Sequence, residues 1–359
     1  MKTTNLKTPP FLRPGATIGI TAPSFGCTIE PYISRFKEAC RHFEQLGYKL
    51  KIGDTVYKSD GIGISTDPRV AARELCDFYC DPAVDAIISA GGGELMCETL
   101  SYVDFDRLRS APAKWFMGYS DNTNFIFPLV TGCGVKAIYG SNISGFGKPW
   151  EEPEEDTLAL LEGRKNEFWG YDMFQRPEDG TEAKEIDPLS PYVLKEKKVL
   201  KITVPKALVG PLSMSGVLIG GCLDVLTNLC GTRFDFVNQF NKENDRVIWV
   251  LEACDLSPMG IRRAMWNLKE AGWFEKATGF VIGRPLAAWG QETMGVDQYN
   301  AVTDIVGELN VPIIFDADVG HIAPDIPLVM GAQACVKVEE GNISVGLISN
   351  LSSSGMNVI

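Results

Sequence analysis

Trp115-Phe116-Met117-Gly118-Tyr119-Ser120-Asp121-Asn122 compresses an apolar run, a tight turn and the start of a helical pattern into one short stretch. A buried strand that feeds a sharp turn and then a helix is the building unit of an α/β protein. The same alternation recurs on both sides of it. Upstream, residues 84–89 (VDAIIS) and Thr17-Ile18-Gly19-Ile20-Thr21 read as strands. Between them, residues 30–46 place Ile33, Phe36, Cys40 and Phe43 at three- and four-residue steps, with Gly47 where a cap belongs. Asp67-Pro68 opens another helical pattern over 67–80, an N-cap followed by proline at the first helical position. Downstream, residues 136–139 form a further apolar run. Apolar strands alternating with amphipathic helices predict a parallel sheet covered by helices.

The rhythm breaks at residues 148–198, which hold Pro149, Pro153, Pro177, Pro188 and Pro191, many acids, and little periodicity beyond residues 157–161. This stretch reads as a connection with a long irregular loop, the kind of segment that often serves as a lid or binding element. The rhythm then resumes. Val247-Ile248-Trp249-Val250-Leu251 is a buried strand. Ser257-Pro258 opens a helix with Ile261, Met265 and Leu268 on one face and Gly272 after it. Residues 279–282 and 313–315 are further strands, and 334–347 a hairpin turning at Glu340-Gly341-Asn342. The expected organisation is an N-terminal α/β domain over 1–148, an interdomain connection over 149–198, and a C-terminal domain over 199–359.

At 359 residues the chain suits about two domains. Its 45% hydrophobic and 22% charged residues exclude disorder, collagen and coiled coil. No apolar run of about 18 residues is present, so no membrane helix is expected. Met1-Lys2-Thr3-Thr4-Asn5 leads to no apolar signal region, and the expected address is the cytoplasm. Lys plus Arg number 34 against 46 Asp plus Glu, a net charge of −12. That balance argues against nucleic-acid and anionic-membrane partners. Ten scattered cysteines with no C-x-x-C read as buried free thiols, not as disulfides or metal ligands.

Scarcity narrows the chemistry. The chain has two histidines, His42 and His321. His42 lies inside the 30–46 helical pattern and reads as structural. His321 follows the 313–315 strand in Asp316-Ala-Asp318-Val-Gly320-His321-Ile-Ala-Pro324-Asp325, a loop at a strand's carboxyl end, where α/β proteins place their sites. The opening stretch has the geometry of a nucleophile elbow, which would project the Ser120 hydroxyl and put the Asp121 amide at a helix start. Its fifth position is Asn122 instead of glycine, and a plain N-cap reading of Ser120 or Asp121 stays open. Ala90-Gly91-Gly92-Gly93-Glu94 follows the 84–89 strand and offers free amides, without a nucleotide-binding glycine motif. Glu252 ends the 247–251 run. A carboxylate there needs a partner, either His321 or one of Arg262 and Arg263. Ser120, Glu252 and His321 together supply a nucleophile, an orienting acid and a base. The serine comes from the first domain and the other two from the second, which puts the site in the interdomain cleft.

At these residues the chain resembles the LD-carboxypeptidase family of serine peptidases, which includes the microcin C self-immunity branch. The resemblance rests on Leu12-Arg13-Pro14-Gly15-Ala16, Thr21-Ala22-Pro23-Ser24, Gly92-Gly93, Tyr102-Val103-Asp104-Phe105-Asp106 and Gly118-Tyr119-Ser120-Asp121-Asn122-Thr123. It continues through residues 216–223, Gly231-Thr232, Leu251-Glu252, Gly283-Arg284, Gly320-His321, Pro324 and Pro327-Leu328. It implies a Ser120–Glu252–His321 triad, with oxyanion donors at the backbone amides of Gly93 and Asp121. It implies a flavodoxin-like N-terminal domain with a parallel sheet and a C-terminal domain of mixed sheet and helices. It also implies a homodimer that needs no cofactor and no metal.

The substrate expected from the resemblance is a small peptide or peptidyl-nucleotide, with hydrolysis of the amide of a microcin C-like peptidyl or aminoacyl nucleotide. The alternative is a murein tetrapeptide that releases D-alanine. The chain departs from the family at Cys222, after Gly220-Gly221, where asparagine is usual. Its Trp169-Gly170-Tyr171 does not reproduce the tryptophan- and acid-rich loop of the immunity branch. Two rival readings stand beside these: a metal site at Asp316, Asp318, His321 and Asp325, and a non-catalytic cleft that binds a peptide or nucleotide. A serine mechanism predicts activity that falls as pH drops through the imidazole pKa, near 6.5 for an unperturbed group.

Overall fold

The computed structural model describes residues 2–4, 6–61, 63–205 and 211–348. The first sheet runs in the order Lys49–Ile52, Thr17–Thr21, Ala86–Ser89, Trp115–Gly118, Ala137–Tyr139 and Leu328–Met330. The first five strands are parallel and follow the 2-1-3-4-5 order of flavodoxin-like folds. The three central ones are almost wholly buried, as strands covered by helices on both faces must be. The sixth strand is antiparallel and comes from the C-terminal half of the chain.

The second sheet is mixed. Its parallel centre is Ser213–Cys222, Val247–Glu252, Ala277–Gly283 and Ile313–Ala317. Antiparallel strands flank it, including the hairpin Gln333–Glu339 with Asn342–Leu347. Glu340 and Gly341 both take positive φ at its tip, as a two-residue turn matched to strand twist requires.

Residues 148–198 depart from the irregular loop expected of them. They hold helices Glu152–Leu161 and Pro177–Ile186 and a strand, Glu167–Trp169, that joins the edge of the second sheet. Two of the five prolines that break the pattern are helix starters. Pro153 and Pro177 stand in the first turn of their helices, where a backbone N–H has no intrahelical partner to lose. The acids follow the same logic, with Glu151 and Glu154 closing a capping box.

The Thr123–Thr131 helix is buried at every position, which marks it as an internal element instead of a surface one. It packs against the Ser213–Cys222 strand of the second sheet. Phe127 stacks on Trp273, and Trp273 on Trp249, with ring centroids 5.0 and 5.7 Å apart. This helix starts at the Ser120 turn, so its burial brings that turn against the second sheet.

All ten cysteines are free. His42 is structural, its Nδ1 2.9 Å from the Phe146 carbonyl and its Nε2 3.1 Å from Glu38. Among the described residues no helix is long and apolar enough to cross a membrane.

Candidate active site

Ser120 follows the Trp115–Gly118 strand and opens a single 3-10 turn, Ser120–Asn122, before the buried helix. Its φ is +62°, a left-handed conformation that costs a non-glycine residue free energy and persists only where the surroundings enforce it. The turn is enforced by Asp121 and Asn122. The buried Asp121 carboxylate accepts hydrogen bonds from Ser24 Oγ, from Met96 N at 2.9 Å and from Asn124 Nδ2 at 2.8 Å. It thus ties the loops after three parallel strands together. Burial raises its pKa, against the pull of those donors. Asn122, the departure at the fifth elbow position, donates to the Gly91 carbonyl at 2.9 Å and to Asn142 Oδ1 at 3.1 Å. A glycine there would hold neither loop.

His321 Nε2 lies 2.9 Å from Ser120 Oγ, and His321 Nδ1 lies 2.7 Å from Glu252 Oε2. Glu252 is 2% exposed, so its charge acts on the imidazole with little screening. Burial pushes the His321 pKa down, but the Glu252 charge and hydrogen bonds with Cys254 and Glu252 outweigh it and raise it well above the ordinary imidazole value. Arg262 pairs instead with Asp304, which leaves Glu252 to the histidine. Gly320 makes this approach possible. Its φ is +102°, and a Cβ there would sit 2.5 Å from Glu252 Oε2.

The Gly91–Gly93 loop lies on the other side of the hydroxyl. A Cβ on Gly92 would come within 3.2 Å of Ser120 Oγ, and one on Gly93 within 2.2 Å of Ser24 Oγ.

Tyr139 is a site residue that the sequence did not reveal. Its hydroxyl donates to Glu252 Oε1 at 2.6 Å and accepts from the Ser120 amide at 3.1 Å. It thereby links the acid from the second sheet to the turn from the first. Its only sequence signal was its place at the end of an apolar strand.

The carboxylates near His321 do not converge on a metal site. Asp316 accepts from Gln298 Nε2 and Tyr299 Oη. Asp318 is fully buried and pairs with Lys198 at 2.5 Å and Arg284 at 2.8 Å. No group of three potential ligands is found among the described residues. Arg284 also donates to the Asp316 and Ile322 carbonyls at 2.9 and 3.0 Å, gripping the loop that carries His321. Asp318→Ala leaves two buried cations without their counter-ion and is expected to cost about 3–5 kcal/mol. Urea unfolding measures this; a loss under 1 kcal/mol would show that water compensates the pair.

Two parallel-centred sheets joined through one buried helix, with a hydroxyl–imidazole–carboxylate chain across the junction, define a two-domain α/β protein with a hydrolase-like site. Residues 18–140 match the LD-carboxypeptidase N-terminal domain, and residues 215–336 the LD-carboxypeptidase C-terminal domain. The chain belongs to the LD-carboxypeptidase family, a family of carboxypeptidases.

Among relatives, it is 24% identical over 340 residues to the microcin C7 self-immunity protein MccF of Escherichia coli, covering 92% of this chain and 93% of that one. It is 24% identical over 336 residues to a probable murein peptide carboxypeptidase of Bacillus subtilis, covering 92% of each. The fold matches the structure of MccF in complex with aspartyl sulfamoyl adenosine with a TM-score of 0.76 at 22% identity, covering 97% of this chain and 100% of that one. It also matches an MccF-like protein from Streptococcus pneumoniae in complex with AMP, with a TM-score of 0.73 at 20% identity, covering 93% and 99%.

Proposed function

We propose that the protein is a serine carboxypeptidase or amidase that cuts an amide held in the cleft between its two sheets. The observation that carries this reading is the unbroken chain from Ser120 Oγ through His321 to Glu252. With Nδ1–H donated to Glu252, the Nε2 lone pair faces the serine hydroxyl and serves as general base. Ser120 attacks the amide carbon. The backbone amides of Gly93 and Asp121 receive the oxyanion, each such donor being worth about 2.7–4 kcal/mol in related chemistry. The imidazolium then protonates the leaving amine and, as imidazole again, activates water to release the acyl group. A non-catalytic binding cleft has no use for this arrangement, and Glu252 holds His321 instead of an arginine.

A peptidyl or aminoacyl nucleotide is the first substrate reading, supported by the fold's likeness to proteins solved with aspartyl sulfamoyl adenosine and with AMP. A murein peptide is the second, supported by the name of the Bacillus relative. One feature of this chain favours the second: Lys148 Nζ lies 3.6 Å over one face of Tyr192, which lines the cavity beside His321, so that face offers a base no stacking surface. Incubation with a murein tetrapeptide and with an aminoacyl sulfamoyl adenosine, followed by product analysis, separates the two. Cleavage of neither amide would overturn the function. The reading includes a cytoplasmic homodimer, which sedimentation and fractionation test.

The raised pKa of His321 sets the sign of the pH dependence. The base works only when neutral, so kcat/KM rises with pH through the His321 pKa. The acid limb is therefore expected above pH 6.5, later than an unperturbed imidazole would give. A midpoint at or below 6.5 in a pH–rate profile would show that burial, not Glu252, dominates.

A further inference from the structure

His321 stands at the junction of two cavities. One, of about 300 Å³, is lined by Ser120, the Gly91–Gly93 loop and Tyr119. The other, of about 120 Å³, is lined by His321 and Tyr119 but not by Ser120, and it is walled by Arg35, Lys148 and Lys184. The 149–198 stretch supplies one wall of the second cavity: Lys184 lies on the Pro177–Ile186 helix and Ser190 follows it.

Its charge is unbalanced. Lys148 is matched by Glu154 at 2.7 Å. Neither Arg35 nor Lys184 has a carboxylate within ion-pair distance among the described residues. Arg35, 8% exposed, spends two donors on the carbonyls of Pro188 and Ser190 at 2.5 and 3.0 Å. Its remaining nitrogen has no protein acceptor among the described residues. Burial lowers the Lys184 pKa, and the charge of Arg35 lowers it further. Among the described residues the carboxyl on this wall without a partner is Asp325; burial and Glu154 push it up to about 7, so it carries less than a full negative charge near neutrality. Two like charges around a small cavity are costly until an anion enters. A further pocket, which Ser120 lines and His321 does not, has the reverse polarity: it is lined by Glu94, Asp224 and Asp255, which repel an anion.

Resting on the proposed serine mechanism, we infer that Arg35 and Lys184 form an anion subsite that holds the leaving group of the cleaved amide. The direction follows from the chemistry. His321 protonates the leaving nitrogen, so the departing group lies on the imidazole side of the serine. His321 lines both cavities, and of the two only the cationic one offers an anion a counter-charge. Both substrate readings offer an anion there, the carboxylate of a single amino acid or the phosphate of a nucleotide. A volume of about 120 Å³ suits the amino acid, being well below the roughly 300–1,000 Å³ of pockets that enclose drug-sized ligands.

The test measures binding and turnover separately. D-alanine, D-alaninamide and adenosine monophosphate are titrated by calorimetry into the wild-type protein and into Lys184→Met and Arg35→Gln. Among the described residues the Lys184 side chain makes no hydrogen bond or ion pair, so its variant is the cleaner one. The expected result is that D-alanine binds, D-alaninamide binds at least about tenfold more weakly, and Lys184→Met weakens D-alanine by about tenfold while leaving the amide unaffected. Tight binding of adenosine monophosphate, equally lost in Lys184→Met, upholds the subsite and assigns it to a nucleotide. If neither anion binds, or if Lys184→Met binds both as the wild type does, the subsite is overturned. Anion binding that depends on Lys184, in a protein that cleaves no amide and resists serine-directed acylating reagents, upholds the subsite and overturns the serine mechanism.

Discussion

Ser120→Ala is expected to abolish amide hydrolysis, lowering kcat by about 10⁴–10⁶-fold, while leaving the fold intact. The magnitude follows from removing the only atom able to form the acyl intermediate; what remains is the turnover that binding and oxyanion stabilisation support without it. Among the described residues Ser120 Oγ has one side-chain partner, the His321 Nε2 at 2.9 Å, so its deletion creates no buried unsatisfied group deep in the core. The positive φ at position 120 persists because Asp121 and Asn122 hold the turn, not the hydroxyl. Kinetics on purified protein, with urea unfolding alongside, checks both halves. A variant that keeps more than a tenth of wild-type activity would end the serine mechanism.

Glu252→Gln is expected to lower kcat by about 10³–10⁴-fold. The carboxylate does two things at 2.7 Å from Nδ1: it accepts the N–H that fixes the tautomer, and it stabilises the imidazolium formed during attack. A glutamine amide can turn its NH2 toward Nδ1, which then keeps its lone pair and moves the proton to Nε2, where the base is needed. The Tyr139 hydroxyl, which donates to the other oxygen at 2.6 Å, favours that wrong rotamer because it needs an acceptor. The charge is also the main factor holding the His321 pKa up against burial. The residual activity should therefore show its acid limb at lower pH than the wild type. A pH–rate profile of Glu252→Gln that superimposes on the wild type would mean that Glu252 only packs. Loss of rate with an unchanged limb would assign it orientation alone.

These two outcomes bear on residues that differ in how visible they were. His321 stood out through scarcity and through its place after a strand, and Glu252 through the cost of burying a carboxylate behind five apolar residues. Ser120 stood out through a strand–turn–helix pattern. Each of these signals is local, because backbone period and desolvation cost are written into neighbouring residues. Tyr139 gave no such signal, and Asp121 and Asp318 stood out for other roles, a helix-start amide and a metal ligand, than the ones their carboxylates play. A tyrosine ending an apolar strand reads as core. Nothing near Asp318 in the chain announces Lys198, 120 positions away, as its partner.

The sequence by itself determined the alternation of strands and helices, the flavodoxin-like half, the hairpin at 334–347 and the candidate nucleophile, acid and base. Only the tertiary structure decided that residues 149–198 build helices and a sheet edge, that Leu328–Met330 crosses into the first sheet, and that a cationic wall faces His321. The physical reason is the range of the interactions. Periodicity records which face of an element avoids water, whereas sheet membership, ion pairing and cavity walls depend on which distant segment covers that face.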